Sequence, residues 1–377
     1  MLLSKQSKEE RVARVATSDD DLRQEISDQI ERRWAGYFPS RPGATSPKVV
    51  CHRTRPHGFS VLFEYEVKSA GIGSKHVIAK VRRDSRFGPY RGPEVTRAPQ
   101  LLRLEFEELS RAYQHFQDLN AGLGVVRPFD YLEELNTVLI EKASGRDLGL
   151  LLDQFDDASL VTAFTQCGQW LRAFHQDIHQ ESTRVWTKAE FEPRLIKRCQ
   201  TLLGQGVPTA RLDALLSLAA NVPLGSKLHE VPHSVLHGDY KLRHVWASGG
   251  SIQVLDFGNV HAGDCYVDVA YFLVELSVLR LGSPWFDSRK ANRYSRAFLN
   301  GYFTTEPPPL VGFYVVEALL KKWIRRLRSW SRTTMATRFQ TCAKKVGVAP
   351  LVERVYIDRW FDARIREALA GVVVSGH

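Results

Sequence analysis

Residues 235–270 read VLHGDYKLRHVWASGGSIQVLDFGNVHAGDCYVDVA. Two acidic triplets punctuate this stretch, HGD at 237–239 and DFG at 256–258. Each follows a short apolar run of strand type, HSVL before the first and SIQVL before the second. Gly249 and Gly250 between them read as a turn. The segment is therefore a β hairpin with a carboxylate at the end of each adjoining strand. It interrupts a half of the chain that is otherwise helical in pattern. Just upstream, SLVTAFTQCGQWLRAFHQDIH at 159–179 is long and periodic.

Working outward, residues 48 to 82 turn to strand. SVLFEYEV alternates apolar and polar residues, HVIAKV is a short apolar run, and KSAGIGSK between them is a hairpin connection. Segment 83–98, rich in Arg, Gly and Pro, reads as a loop. LLRLEFEELSRAYQHF at 101–116 is an amphipathic helix, and VVRPFDYLEEL and NTVLIEKA are two further strands. Residues 1–17 are charged and aperiodic. Ser18 and Asp19–Asp21 then mark a helix start, continued by Leu22, Ile26, Ile30 and Trp34 at helical spacing. The expected layout is α+β: a helical extension over 1–40, a β-rich part over 41–143 and a mostly helical part over 144–377.

The chain has 377 residues, 44% of them hydrophobic and 25% charged, which excludes a disordered or collagen-like chain. Its formal net charge of +10 favours anionic partners without choosing among them. The five cysteines, Cys51, Cys167, Cys199, Cys265 and Cys342, show no CxxC spacing. A zinc site or a disulfide framework is not expected, and a reducing, cytoplasmic setting fits best. The opening MLLSKQSKEERVARV lacks the apolar core of a signal peptide, and VDVAYFLVEL is too short to span a bilayer.

Two carboxylates on strand ends suit phosphoryl transfer. One can accept or orient the proton of an attacking hydroxyl, and the other can hold a magnesium ion that neutralises phosphate oxygens. HGD and DFG in this order, downstream of a strand lysine and a helix glutamate, form a specific combination. The run HGDYKLRHVW…VLDFGNVHAGDCYVDVAYF resembles the aminoglycoside phosphotransferase/choline kinase-like enzymes, whose signature is HGDxxxxN, a strand leading to an aspartate, and GDxxxDxA. GDCYVDVA at 263–270 matches the last part, and QWLRAFHQ resembles the family helix that ends in Leu…His. The resemblance covers about residues 48–300.

The resemblance implies a two-lobed, protein kinase-like fold with a β-rich nucleotide-binding N-lobe and a helical C-lobe. It implies ATP and Mg²⁺ as cofactors, with Mn²⁺ as an alternative, and a hydroxyl of a small molecule, sugar or glycolipid as acceptor. Asp239 becomes the catalytic base and Asp256 a metal ligand. His237, Asp264 and Asp268 brace the loop. Lys80 takes the phosphate-binding lysine's place, with Glu105 as its partner and Glu108 as the fallback. Gly58 and Ser60 fall where backbone N–H groups approach phosphate. Adenine is expected near Ile140, Glu141, Lys142 and Ala143, with Gly145 as the hinge. One departure concerns the metal: His244 stands where the family places asparagine, and an imidazole nitrogen suits hard Mg²⁺ less well than an amide oxygen. That departure supports the alternative of a catalytically weak, nucleotide-binding pseudokinase scaffold. A protein kinase reading is weaker, since the chain lacks HRD.

VVEALLKKWIRRLRSWSR at 315–332 carries one apolar helical stripe and a basic remainder. It is either a C-lobe helix with a solvated face or a peripheral contact for an anionic substrate or membrane. No nucleic-acid module accompanies it, so no nucleic-acid partner is expected.

Overall fold

Alternating burial builds the first part of the chain. In a computed structural model, residues 19–38, 46–57, 60–69, 73–82, 98–119, 122–152, 154–179, 181–222, 229–282, 288–330 and 349–374 are described. Gly58, the loop over 83–97 and the segment 1–17 lie outside them. The strands are β1 (Lys48–His57), β2 (Ser60–Ser69), β3 (Gly73–Arg82), β4 (Leu123–Val125), β5 (Pro128–Leu132), β6 (Thr137–Glu141) and the two-residue β7 (Arg146–Asp147). They continue as β8 (Ser182–Trp186), β9 (His229–Leu236), β10 (Val245–Ser248), β11 (Ser251–Val254) and β12 (His261–Asp264). The longer helices are α1 (Asp19–Tyr37), α2 (Ala98–Leu119), α3 (Asp157–Ala173), α4 (Lys188–Leu203), α5 (Thr209–Ala220), α6 (Tyr266–Gly282), α7 (Ser288–Tyr302), α8 (Val311–Trp330) and α9 (Ala349–Val374). The chain divides into two compact units, Met1–Arg146 with Trp246–Val260, and Asp147–Val245 with His261–His377.

In the first unit, β1-β2-β3-β6-β5 form a five-stranded sheet. Phe63, Tyr65 and Val67 of β2 and Val77, Ala79 and Val81 of β3 all point to one core. Leu22, Ile26 and Ile30, four residues apart on α1, cover that face. Each such buried side chain stabilises the unit by about 1.5–3 kcal/mol. Polar bonds fix α1 in place: Tyr65 Oη donates to the Arg23 carbonyl at 3.0 Å, and Arg33 and Tyr37 both donate to Asp130 Oδ2 at 2.7 Å. The β10–β11 hairpin belongs largely to this unit, because β11 pairs in parallel with β4. Gly249 and Gly250 have positive φ at its turn. Gly145, expected as a hinge, is a close-packing position. Its φ is +80°, and a Cβ there would lie 2.1 Å from the Ala247 carbonyl oxygen.

The second unit is mostly helical, with a three-stranded sheet in the order β12-β9-β8. Asp156 caps α3, accepting from the Ser159 amide at 2.9 Å. Helices α3 and α7 cross at glycines: a Cβ on Gly168 would stand 2.1 Å from the Phe298 carbonyl, and one on Gly301 2.1 Å from the Thr165 carbonyl. Aromatic rings fill the interior. Trp170 stacks on Tyr240 at 5.5 Å, Tyr240 on Phe272 at 5.1 Å, and Phe272 on Phe298 at 4.3 Å. Trp323 of α8 donates to Asp358 of α9 at 2.9 Å and stacks on Phe361. Among the described residues, no helix is long and apolar enough to cross a membrane.

Candidate active site

Lys80 keeps the alternation of β3: Val77, Ala79 and Val81 are buried in the core, and Lys80 lies on the opposite face, partly covered. On α2 the buried positions are Leu102, Glu105, Leu109, Ala112 and Phe116, spaced by three and four. Glu105 thus occupies a slot in an otherwise apolar stripe, the place where a carboxylate needs a partner. Lys80 is that partner: its Nζ lies 2.6 Å from Glu105 Oε1 and 2.6 Å from Asp256 Oδ1. Glu108, the fallback, pairs instead with Arg111 at 2.7 Å.

Burial works against the Lys80 charge, but Glu105 and Asp256 together outweigh it and hold the ammonium above its ordinary value. Glu105, buried and sharing one ammonium with a second carboxylate, is pushed above the ordinary carboxylate range. Asp256 follows β11 with φ +66°, a left-handed conformation that aspartate tolerates better than most residues. Gly258 is packed so closely that a Cβ would meet Glu105 Oε2 at 3.1 Å. Strand, helix and DFG turn thus converge on one ammonium within the first unit.

Of the other expected nucleotide contacts, Ser60 is buried at the start of β2. The Glu141 amide donates to the Arg127 carbonyl at 2.8 Å, and the Lys142 amide to the His76 carbonyl at 3.3 Å. Both amides are therefore spent within the sheet. Ala143 lies two residues beyond the end of β6.

In the second unit the HGD loop hangs from Asp268. Its Oδ2 accepts the His237 amide at 2.7 Å, and its Oδ1 accepts the Gly238 amide at 3.0 Å. His175 Nε2 lies 3.3 Å from the same Oδ2, and its Nδ1 lies 3.0 Å from Tyr302 Oη. A carboxylate only accepts, so Nε2–H donates to Asp268 and the Tyr302 hydroxyl donates to Nδ1. His175 reaches this position from a π-type turn, Phe174–Ile178, that follows α3. Burial alone would raise the Asp268 carboxyl. Hydrogen bonds from the His175 ring and the His237 amide work against this and leave it below the ordinary carboxylate value. The His237 ring is fully buried among Trp170, Phe174 and Tyr240.

The two aspartates of GDCYVDVA do different work. Asp264 stays off the HGD loop and closes β12 onto β8, where Arg184 grips it twice, at 2.5 and 2.6 Å, and Tyr314 donates at 2.7 Å. Asp239 carries a contact that the motif reading did not include. Lys241 Nζ lies 2.5 Å from Asp239 Oδ2. A cation two residues beyond the acidic position was the available signal. His244 is buried, and its Nδ1 lies 3.0 Å from the Asp239 backbone carbonyl. That carbonyl can only accept, so Nδ1 carries the proton and, in the neutral ring, Nε2 holds the lone pair.

Residues 80–309 match the profile of the phosphotransferase enzyme family. No curated protein matches the chain. Among solved structures, a thermostable mutant of aminoglycoside phosphotransferase APH(4)-Ia in its apo form is similar at 15% identity, over 89% of this chain and 98% of that one, with a TM-score of 0.47. Amicoumacin kinase hAmiN in complex with AMP-PNP, Ca²⁺ and Ami is similar at 14% identity, over 93% and 96%, with a TM-score of 0.47. A choline/ethanolamine kinase family protein from Mesorhizobium loti is similar at 14% identity, over 93% and 99%, with a TM-score of 0.46.

Proposed function

This chain belongs to the phosphotransferase enzyme family, and we propose that it transfers the terminal phosphoryl group of ATP to a hydroxyl of a small molecule, sugar or glycolipid. The observation that carries the reading is Lys80 between Glu105 and Asp256 at 2.6 Å each. An ammonium held charged near the end of a strand is suited to nucleotide phosphates, and Glu105 fixes its position. The Ala143 amide and the Glu141 carbonyl would meet the adenine edge, and Ser60 the phosphates.

Asp239 would accept or orient the proton of the attacking hydroxyl. Lys241 would keep that carboxylate oriented, and Asp268 would hold the loop at a fixed geometry through His237 and Gly238. By donor chemistry, Asp256 would offer a divalent cation a hard carboxylate oxygen, and His244 would offer its Nε2 nitrogen. When bound, the cation would neutralise charge on the phosphate oxygens.

The test is an ATP-consumption screen against sugars, aminoglycosides, choline-like alcohols and glycolipid extracts, with Asp239→Ala as control. Transfer to at least one acceptor is expected in wild type. In Asp239→Ala it should fall by about 10²–10⁴, with ATP binding retained. Turnover above about a tenth of wild type in that variant would remove Asp239 from the mechanism. A second reading rests on His244: a nucleotide-binding scaffold that transfers nothing. ATP binding with no transfer to any acceptor, with any divalent metal, would favour it.

A further inference from the structure

The basic helix that the proposed reaction leaves unused forms one wall of a groove. Within the second unit, α4 supplies Arg198 and Thr201, and α8 supplies Lys321, Ile324, Arg325 and Arg328, around a volume of about 270 Å³. The α8 residues follow the 321, 324, 325 and 328 spacing of a single helix face. Lys321, Arg325 and Arg328 are like charges at that spacing. Arg325 stands four residues from Lys321 and three from Arg328, the spacings at which like charges repel.

The nearby carboxylate does not balance them. Glu317 accepts from Arg198 at 2.7 Å, with Lys321 at 3.4 Å and Arg194 at 3.8 Å. One negative charge is thus already shared by three cations. Burial alone would raise the Glu317 carboxyl, but Lys321 and these arginines hold it below its ordinary value, so it remains an anion. Arg325, exposed on the same face, has no carboxylate partner among the described residues. Arg198, which lines the groove, has a buried Nε with no acceptor among the described residues.

We propose that this groove binds a phosphate-bearing anion of at least two negative charges, independently of the proposed transfer reaction. Guanidinium groups on two helices match the paired oxygens of a phosphate, which a lysine-only patch would not. The volume lies just below the ~300–1,000 Å³ of drug-sized sites, which suits a diphosphate or a lipid headgroup better than a whole nucleotide.

The test titrates inorganic pyrophosphate into the full chain without nucleotide or divalent metal, using wild type, Arg325→Glu/Arg328→Glu and Lys80→Ala. Both arginines are exposed, so the double variant should fold, which circular dichroism checks. Expected is binding to wild type that weakens with added NaCl and is kept by Lys80→Ala. The double variant should lose about 10-fold or more in affinity, the scale of one charge-assisted contact. Vesicles of phosphatidylglycerol form a second arm. Vesicle binding without pyrophosphate binding, lost in the double variant, would identify a lipid headgroup as the source of the anion and sustain the site. Equal affinity in the double variant, loss only in Lys80→Ala, or binding to neither probe would overturn the proposal. None of these readings uses phosphoryl transfer, so failure here is separable from failure of the kinase reading.

Discussion

Asp268 binds the His237 backbone amide at 2.7 Å, thirty-one residues away in sequence, while its other oxygen holds the Gly238 amide at 3.0 Å. Both oxygens act as acceptors, and a full carboxylate is needed to satisfy both N–H groups. Asp268→Asn turns one of them into a donor that faces a donor. The orphaned buried amide should cost about 1–3 kcal/mol, read as a lower urea midpoint at pH 7. If the loop geometry serves Asp239, turnover should drop more than the ATP Michaelis constant rises. An unchanged midpoint would remove the anchor.

Lys80 and Glu105 should behave as one unit. Lys80→Ala leaves two carboxylates facing each other, and Glu105→Ala leaves the ammonium with Asp256 alone. Each single substitution should impair ATP binding, and the double variant should fall well short of the sum. Additive losses would show that the pair does not act together in binding. Glu108→Ala should leave ATP affinity close to wild type, since Glu108 pairs with Arg111.

Lys241 should matter through Asp239. Lys241→Met removes the cation with little change in length, so nucleotide affinity should hold while turnover falls. Lys241→Arg should recover part of the loss because a cation is restored. If Lys241→Met and Lys241→Arg are equally impaired, the 2.5 Å contact is not what supports turnover.

Asp264 supplies a prediction about acid. Burial by itself raises its carboxyl, but hydrogen bonds from Arg184, Tyr314 and His233 and the Arg184 charge bring it below its ordinary value of 3.8. The unfolded chain therefore binds the proton more readily. The stabilisation is fully present above about pH 4 and is lost as pH falls through the lowered folded value. Arg184→Ala should reduce the urea midpoint at pH 7 and shrink the difference between pH 7 and pH 3. An identical pH dependence in the variant would rule out this pair as the source.

The Lys80–Glu105 pair was legible through the family resemblance, but that resemblance gives Asp256 as a metal ligand and not as a second partner of Lys80. Lys80 stands on the non-core face of an alternating strand, Glu105 takes a slot in an apolar helical stripe, and Asp256 ends an apolar run. Glu105 could be told from Glu108 by the same rule, since only Glu105 shares the face of Leu102, Leu109 and Phe116. What escaped depends on chain crossings that periodicity cannot encode. Tyr302 and His175 meet across 127 residues. Gly168 and Gly301 look ordinary until α3 and α7 touch there. Lys241 is the local exception: it lies two residues from Asp239, within reach of a short-range reading. The division of labour between Asp264 and Asp268 was hidden for a similar reason: Arg184 lies on β8, 80 residues from its partner.

His244 is where the chain departs from the family signature, and its geometry makes the consequence testable. Nδ1 is committed to the Asp239 carbonyl, so any metal contact falls to Nε2. A nitrogen donor favours Mn²⁺ relative to Mg²⁺ more than an amide oxygen does. Wild type should therefore turn over at least as well with Mn²⁺ as with Mg²⁺, and EDTA should abolish turnover. His244→Asn puts an amide at this position. Its NH₂ can still donate to the Asp239 carbonyl while its oxygen replaces Nε2, so the preference should move toward Mg²⁺ with the fold retained. Turnover ratios for the two metals, measured on both proteins at one pH, decide the matter. A ratio unchanged by the substitution would confine His244 to its hydrogen bond with the loop. Activity gained only in His244→Asn would instead favour the nucleotide-binding scaffold.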